Sequence, residues 1–331
     1  MKKLIPAICN IVFLLSSITI LAQENEKKKY EHEKKKVYEK TYALSSSDKV
    51  KISNQFGSVK INTWDKSEIK ITVEMIATAK NEDRAADILE SLSIADKKNG
   101  NVVSFKTVMD NDKGNNNGGS STMDINYTVY MPSDNALDLK NEFGPIVLPD
   151  YNGNVEIESK FGSLTTGKLN NVEEIVVEFG KAKIGSIGNG TATFKFSKIE
   201  VNHLKGNCTL KFEFCQNSKV VLDNDATLVN INESYSKLNI KPSADFSATY
   251  DVRTSFGSFK NRTGSKFSRT DEEPDYGADT DKDYEGQTGN GACKVKIKSS
   301  FGNVILGEAT AEEMKSKKEK GSKNKEEDED E

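Results

Sequence analysis

Only two histidines occur in the chain, His32 in a charged stretch and His203 beside Leu204-Lys205-Gly206. Neither stands in an HExxH pattern, and no cysteine pair has the spacing of a zinc site. The GxSxG elbow and the phosphate-cradling Walker sequence are also absent. Asp275, Asp279, Asp281 and Asp283 form an acidic run that could attract calcium. It matches neither the spacing of an EF-hand loop nor a nonapeptide calcium repeat, and it reads as a solvated loop. Paired carboxylates could in principle hydrolyse a glycosidic bond. Here, however, the acids alternate with lysine at outward positions or lie in loops, as the surface of any water-exposed β protein requires. No catalytic, cofactor-binding or metal-binding residue is assigned, and the chain reads as a non-enzyme without a cofactor.

Cysteine usage follows from the amino terminus. Lys2 and Lys3 precede a mostly apolar run from Leu4 to Leu21, followed by Ala22 and the polar Gln23-Glu24-Asn25-Glu26. This is the order of a secretory signal peptide over residues 1–22 with cleavage after Ala22; the rival reading is an uncleaved membrane anchor. Cleavage removes Cys9 and leaves Cys208, Cys215 and Cys293. Cys208 and Cys215 fall in one strand, more than about 20 Å apart at seven extended steps, too far for a bridge. Buried free thiols are expected, with a Cys208–Cys293 bridge left open. The formal charge of -4 becomes about -6 once Lys2 and Lys3 are lost, and with no basic stripe the chain is a poor nucleic-acid binder. No further segment is apolar enough to cross a membrane, so no transmembrane segment is expected after cleavage.

What must position these side chains is an internal repeat. Nine copies of one phrase occur: NQFGSVKI, NEFGPIVL, SKFGSLTT, VEFGKAKI, FKFSKIEV, FEFCQNSK, ESYSKLNI, TSFGSFKN and SSFGNVIL. Their aromatics are Phe56, Phe143, Phe161, Phe179, Phe196, Phe214, Tyr235, Phe256 and Phe301, and from Phe143 to Phe256 they recur every 17 to 21 residues. Four residues before each stands an apolar residue: Ile52, Leu139, Ile157, Ile175, Ala192, Leu210, Ile231, Val252 or Ile297. Strand side chains alternate with period two. Both columns are therefore expected in the interior, with the aromatics as structural core, so that Phe179→Ala would cost roughly 3–5 kcal/mol. The residue just before the aromatic then points outward, and Glu142, Lys160, Glu178, Lys195 and Glu213 should make a ladder of alternating charge on neighbouring strands. Gly57, Gly144, Gly162, Gly180, Gly257 and Gly302, replaced by Ser197, Cys215 and Ser236 in three copies, follow the aromatic and are read as structural turns. Beyond them the apolar positions change parity, which implies a bend or bulge.

One such unit cannot bury its own face, so the copies must stack. The expected fold is all-β, a parallel β-solenoid (β-helix) of about 18–21-residue coils with one short helical insertion. The expected organisation is a signal peptide over 1–22, a charged arm over 23–44, the repeat domain over 45–308 and a disordered charged tail over 309–331. Within the repeat domain, residues 81–92 read as a helix capped by Asn81, and 110–121 and 267–292 as flexible loops.

The phrases NQFGSVKINTW, NEFGPIVL, SKFGSL and KIKSSFGNVIL resemble the bacterial family of β-strand-repeat putative adhesins, a domain of unknown function related to the head-GIN auto-transporter adhesin group. The resemblance spans about residues 45–308. It implies export to the periplasm or surface of a bacterial cell and supplies no catalytic residues. The expected function is that of a non-catalytic envelope protein binding a glycan or an envelope protein through its repeat surface. Two alternatives are a periplasmic structural or stress-response partner without an extracellular ligand, and a carbohydrate-active enzyme.

Overall fold

The computed structural model describes residues 32–110, 121–272 and 276–313. The expected signal peptide, nearly all of the 110–121 loop and the tail from residue 314 lie outside the described residues. No helix among the described residues is long and apolar enough to cross a membrane.

Along the chain, β1 (His32–Ala43), β2 (Lys49–Gln55), β3 (Val59–Thr63) and β4 (Glu68–Ala79) precede the helix α1 (Glu82–Ser91). Next come β5 (Leu92–Asn99), β6 (Val102–Met109), β7 (Ser121–Met131), β8 (Ala136–Glu142) and β9 (Pro145–Leu148). The middle of the chain holds β10 (Tyr151–Lys160), β11 (Ser163–Glu178), β12 (Lys181–Ile187), β13 (Gly190–Lys195), β14 (Lys198–Glu213), β15 (Ser218–Ser234) and β16 (Lys237–Pro242). The last part holds β17 (Ala248–Ser255), β18 (Ser258–Arg262), β19 (Phe267–Arg269), β20 (Asp281–Thr288), β21 (Cys293–Ser300) and β22 (Asn303–Gly307).

These strands join one mixed sheet. The fold is all-β, but the expectation of a parallel β-solenoid is corrected. β1–β4, β4–β7 and β5–β6 pair antiparallel in the first part of the chain, as do β17–β20 and β19–β20 in the last. Parallel ladders occupy the regions where the phrase recurs. The order of strands also departs from the order of the chain, because β21 lies between β15 and β17. The reason is local. A parallel partner requires a long return path, whereas a short turn reverses the strand. Between β5 and β6 only Gly100 and Asn101 intervene, with Asn99 paired to Val102 and Gly100 at φ 57°.

The charged arm and the loop expected over 267–292 both contain strands. β1, within the charged arm, pairs residue for residue with β4. Tyr38 and Tyr42 on β1 pack against the core, and the Tyr42 hydroxyl donates to Asp96. The expected loop over 267–292 contains β19 and β20, and β20 runs along the whole of β17. The tail is held as far as Glu313, which accepts from Arg262 Nη2 at 2.7 Å and Lys260 Nζ at 3.1 Å. The helix α1 starts at Asn81, whose side chain accepts the Arg84 N–H at 2.8 Å, and buries Ala85 and Ile88.

In the parallel ladders, Leu139, Ile157, Ile175, Ala192, Leu210 and Ile231 stand in register on consecutive rungs. Ile297 and Val252 continue the row at one end and Ile52 at the other. All nine are at most 1% exposed. At each corner the small residue lets the rungs close up. A Cβ on Gly162 would lie 2.1 Å from the Gly144 carbonyl oxygen, and one on Gly144 2.0 Å from that of Gly57. Ser197 occupies the same column but uses its hydroxyl, donating to Lys195 O at 2.7 Å and accepting the Gly180 N–H at 3.0 Å. Gly162→Ala is therefore expected to destabilise the chain by more than about 2 kcal/mol, and Ser197→Ala by about 1 kcal/mol. Urea melts of the two variants check the order; an equal or reversed order would contradict this packing.

Candidate functional site

The aromatic of each copy has left-handed backbone. Phe56, Phe143, Phe161, Phe179, Phe196, Phe214, Tyr235, Phe256 and Phe301 have φ between 50° and 59°. A non-glycine residue there is uncommon and costs about 1–2 kcal/mol. Its consequence is a change of face. Up to the aromatic, interior side chains sit two and four residues before it, as Asn141 and Leu139 do before Phe143. After it they sit three and five residues on, as Ile146 and Leu148 do. The parity change lies at the aromatic itself, so the ring leaves the interior.

The expected core role of these nine residues is thus corrected. Phe143, Phe161, Phe179, Phe196, Phe214, Tyr235, Phe256 and Phe301 are 45–60% exposed, and Phe56 is half-buried. Of the two reasons for a glycine at these corners, tolerance of positive φ and close approach of the neighbouring chain, the second applies at most of them. Of the six, only Gly57 has positive φ, at 147°; Gly144, Gly162, Gly180 and Gly257 are small because neighbouring backbone lies against them, and Gly302 because the Glu233 carboxyl does.

The rings make a continuous outer stack. From Phe56 through Phe143, Phe161, Phe179, Phe196, Phe214, Tyr235 and Phe301 to Phe256, neighbouring centroids are 4.8–5.1 Å apart and ring planes differ by 1–7°. Eight such steps make a strip roughly 40 Å long, at the spacing of β-strands. The backbone holds it, since every aromatic N–H but that of Phe256, which donates to Thr280 O, donates to a carbonyl on a neighbouring rung, as from Phe161 to Glu178 at 3.0 Å and from Phe179 to Lys195 at 3.0 Å. About half of each ring, roughly 100 Å², is covered by its neighbours, and this stabilises by about 2.5 kcal/mol. Stacking adds about 0.5–1.5 kcal/mol. Together these exceed the backbone cost.

One side of the strip carries the charge column. Lys160 Nζ is 3.7 Å from Glu178, and Lys195 Nζ is 3.9 Å from Glu178 and 3.6 Å from Glu213. Gln55 Nε2 donates to Glu142 at 3.1 Å. The other side carries Ser163, Lys181 and Lys198. The strip is an apolar ridge with a polar rim.

Beneath it lies a group that the periodicity alone did not single out. Glu233 is 2% exposed. Its carboxylate accepts the Ser236 N–H at 2.6 Å and the Ser299 hydroxyl, and Gly302 is the residue packed over it. Burial pushes its carboxyl up to about 7. The signal was the column two residues before the aromatic. It is polar at both ends of the stack (Asn54, Asn141, Ser159; Glu233, Ser299, Thr254) and apolar in the middle (Val177, Phe194, Phe212). Asn54 and Asn141 bond to each other at 3.0 Å there, while Phe194 and Phe212 pack ring to ring with centroids 5.1 Å apart.

The other chemical candidates are held in structural bonds. Cys208, Cys215 and Cys293 are free and buried, and burial pushes Cys208 up to about 12 and Cys293 to about 11, so neither is a thiolate near neutral pH. His203 Nδ1 pairs with Asp223 at 2.8 Å on the surface. Asp279 and Asp271 are both taken by Arg269, at 2.6 Å each. Asp281 and Asp283 lie on β20, and Asp275 is outside the described residues. Among the described residues no group of three or more His, Cys, Asp or Glu is placed to hold a metal ion. His32 is an exposed residue at the start of β1.

No family model and no curated protein matches the chain. Among solved structures it is similar to a "putative cell adhesion protein" from Clostridium sporogenes ATCC 15579, with 13% identity, 83% of this chain and 100% of that one covered, and a TM-score of 0.21. It is also similar to a "putative adhesin" from Bacteroides fragilis NCTC 9343, with 12% identity, 82% and 97% covered, and a TM-score of 0.36. A "putative lipid binding protein" from Parabacteroides distasonis ATCC 8503 stands at 10% identity, 82% and 97% covered, and a TM-score of 0.32. Likenesses this distant carry no argument about what this chain binds.

Two outcomes are expected. Phe179→Ala should cost about 3–4 kcal/mol, the lost cover and stacking of the ring, because alanine keeps the left-handed backbone. Phe179→Gly should cost no more than Phe179→Ala despite glycine's entropy, because glycine relieves the left-handed backbone. Chemical denaturation of the pair checks this, and a glycine variant less stable by 1 kcal/mol or more would contradict it. The second concerns pH. Glu233 holds its proton in the folded chain up to about 7, against an ordinary 4.5. Its contribution is therefore fully present below 4.5 and is lost as pH rises towards and through 7. Glu233→Gln should remove a dependence on the order of 3 kcal/mol across that window and exceed the parent chain in stability above it. Parallel pH-dependent melts that coincide would contradict the assignment.

Proposed function

We propose that the chain is a non-catalytic, exported cell-envelope protein that adheres to a protein partner through the aromatic strip. The observation that carries this is the size of the strip. Eight rings about half exposed, at roughly 200 Å² each, present about 800 Å² of contiguous apolar surface. The largest such patch on a typical monomer is about 300–600 Å², and a larger one rimmed by polar groups marks an interaction site. Export is supported by the order of the first residues, and an adhesive role by the resemblance of the repeat phrases.

The geometry favours a protein over a glycan. Sugars and cations approach the faces of aromatic rings, where the quadrupole is negative. In this strip the faces are taken by neighbouring rings, and what points outward is a row of C–H edges. Such a row suits apolar side chains.

The test is binding of the purified chain to arrays of envelope proteins and of glycans, alongside Phe161→Asn/Phe179→Asn. Asparagine tolerates left-handed backbone, so the fold should persist. Protein spots should retain the parent chain and weaken at least about tenfold with the variant. Equal binding by both would overturn the strip as the site, and glycan binding lost in the variant would overturn the choice of partner.

A further inference from the structure

We propose that the partner of the strip is a second copy of this chain, docked strip to strip and antiparallel about a two-fold axis, one rung short of full overlap. This rests on the reading of the strip as a binding surface and adds the identity and register of its occupant.

Area is the first observation. The exposed strip offers about 800 Å², which is what each partner of a stable protein interface typically removes from water. The second is that no described segment covers the strip, whose rings from Phe143 to Phe301 are 45–60% exposed. Beyond the expected signal peptide, the segments outside the described residues are 23–31, 111–120, 273–275 and 314–331. Tyr30 and Met314 are their only large apolar side chains, so none of them can cover a ridge of this length.

The third observation is the charge pattern. Glu142, Lys160, Glu178, Lys195 and Glu213 alternate in sign on consecutive rungs along one side of the strip. A two-fold axis across the strip sets this column against its own reverse. With the axis between the rungs of Glu178 and Lys195, Glu178 meets the partner's Lys195 and Lys160 meets the partner's Glu213. Eight of the nine rings are then covered. Full overlap would centre on Lys195 and oppose Lys195 to its own copy and Glu178 to the partner's Glu213. Rim pairs of this kind add little affinity but select register, because like charges oppose the wrong one.

Sedimentation equilibrium of the full chain as its cell exports it, over a concentration series, reads the outcome. The parent should be a dimer. Phe161→Asn/Phe179→Asn should weaken self-association at least about 100-fold with unchanged far-ultraviolet circular dichroism. Lys160→Glu/Lys195→Glu and Glu178→Lys/Glu213→Lys should each associate more weakly, and mixing them should restore a heterodimer. A chain that is monomeric throughout overturns the homodimer. If that monomer still binds an envelope protein in a strip-dependent way, the strip reading stands; if binding ignores the strip, both fall. A dimer indifferent to the phenylalanine substitutions also overturns the proposal, and charge variants that associate as well as the parent overturn its register.

Discussion

The structure depends on one backbone constraint repeated at every rung, a left-handed residue at the corner occupied by an aromatic. Each such residue turns the chain so that the inward set of side chains changes parity, which leaves the ring outside and the small residue after it against the neighbouring backbone. Alone, the conformation is unfavourable. In a stack it is held by the aromatic N–H bonded to the next rung and by ring contacts at about 5 Å. The rungs therefore support one another's strain, and the corner is a cooperative feature of the stack.

The same constraint produces the surface that matters for function. An outward ring stabilises the fold only by stacking, and stacking consumes its faces. What remains is an apolar ridge of edges with charged residues along one side and serines and lysines along the other. The fold's own requirement for neighbouring rings thus creates a patch that needs a partner. Glu233 sits where the chain order breaks, bonded to Ser299 of the rung that inserts between two others. A buried carboxyl at that junction ties the packing of the last rungs to pH.

Much of this was legible from residue spacing. The all-β class, the recurrence of 17 to 21 residues and the apolar column from Ile52 to Ile297 follow from alternation, and a row of charges of alternating sign makes sense only if copies are neighbours. Alternation cannot report the sign of φ. It marked the change of parity but placed it after the aromatic, at the glycine that by type accepts positive φ. That single displacement moved nine rings from the surface to the core. A second signal could have corrected it: the column two residues before the aromatic holds Phe194 and Phe212, and both rings of FKF or FEF could not have a small side chain's room inside. The antiparallel pairings, unlike several of the strands that make them, were illegible for a different reason. β1, β4, β7 and β20 have no second copy to align with, and β1 is too rich in lysine and glutamate to announce itself as a strand until Tyr38 and Tyr42 are seen against the core.

The most direct test of the outward stack is hydroxyl-radical footprinting read by mass spectrometry, at a dilution where the chain is monomeric. Phe161, Phe179 and Phe196 should be modified readily, while Phe105, Phe194 and Phe212, all buried, should be protected. Protection of the first three to the same degree as the second would contradict the account and return the aromatic column to the interior.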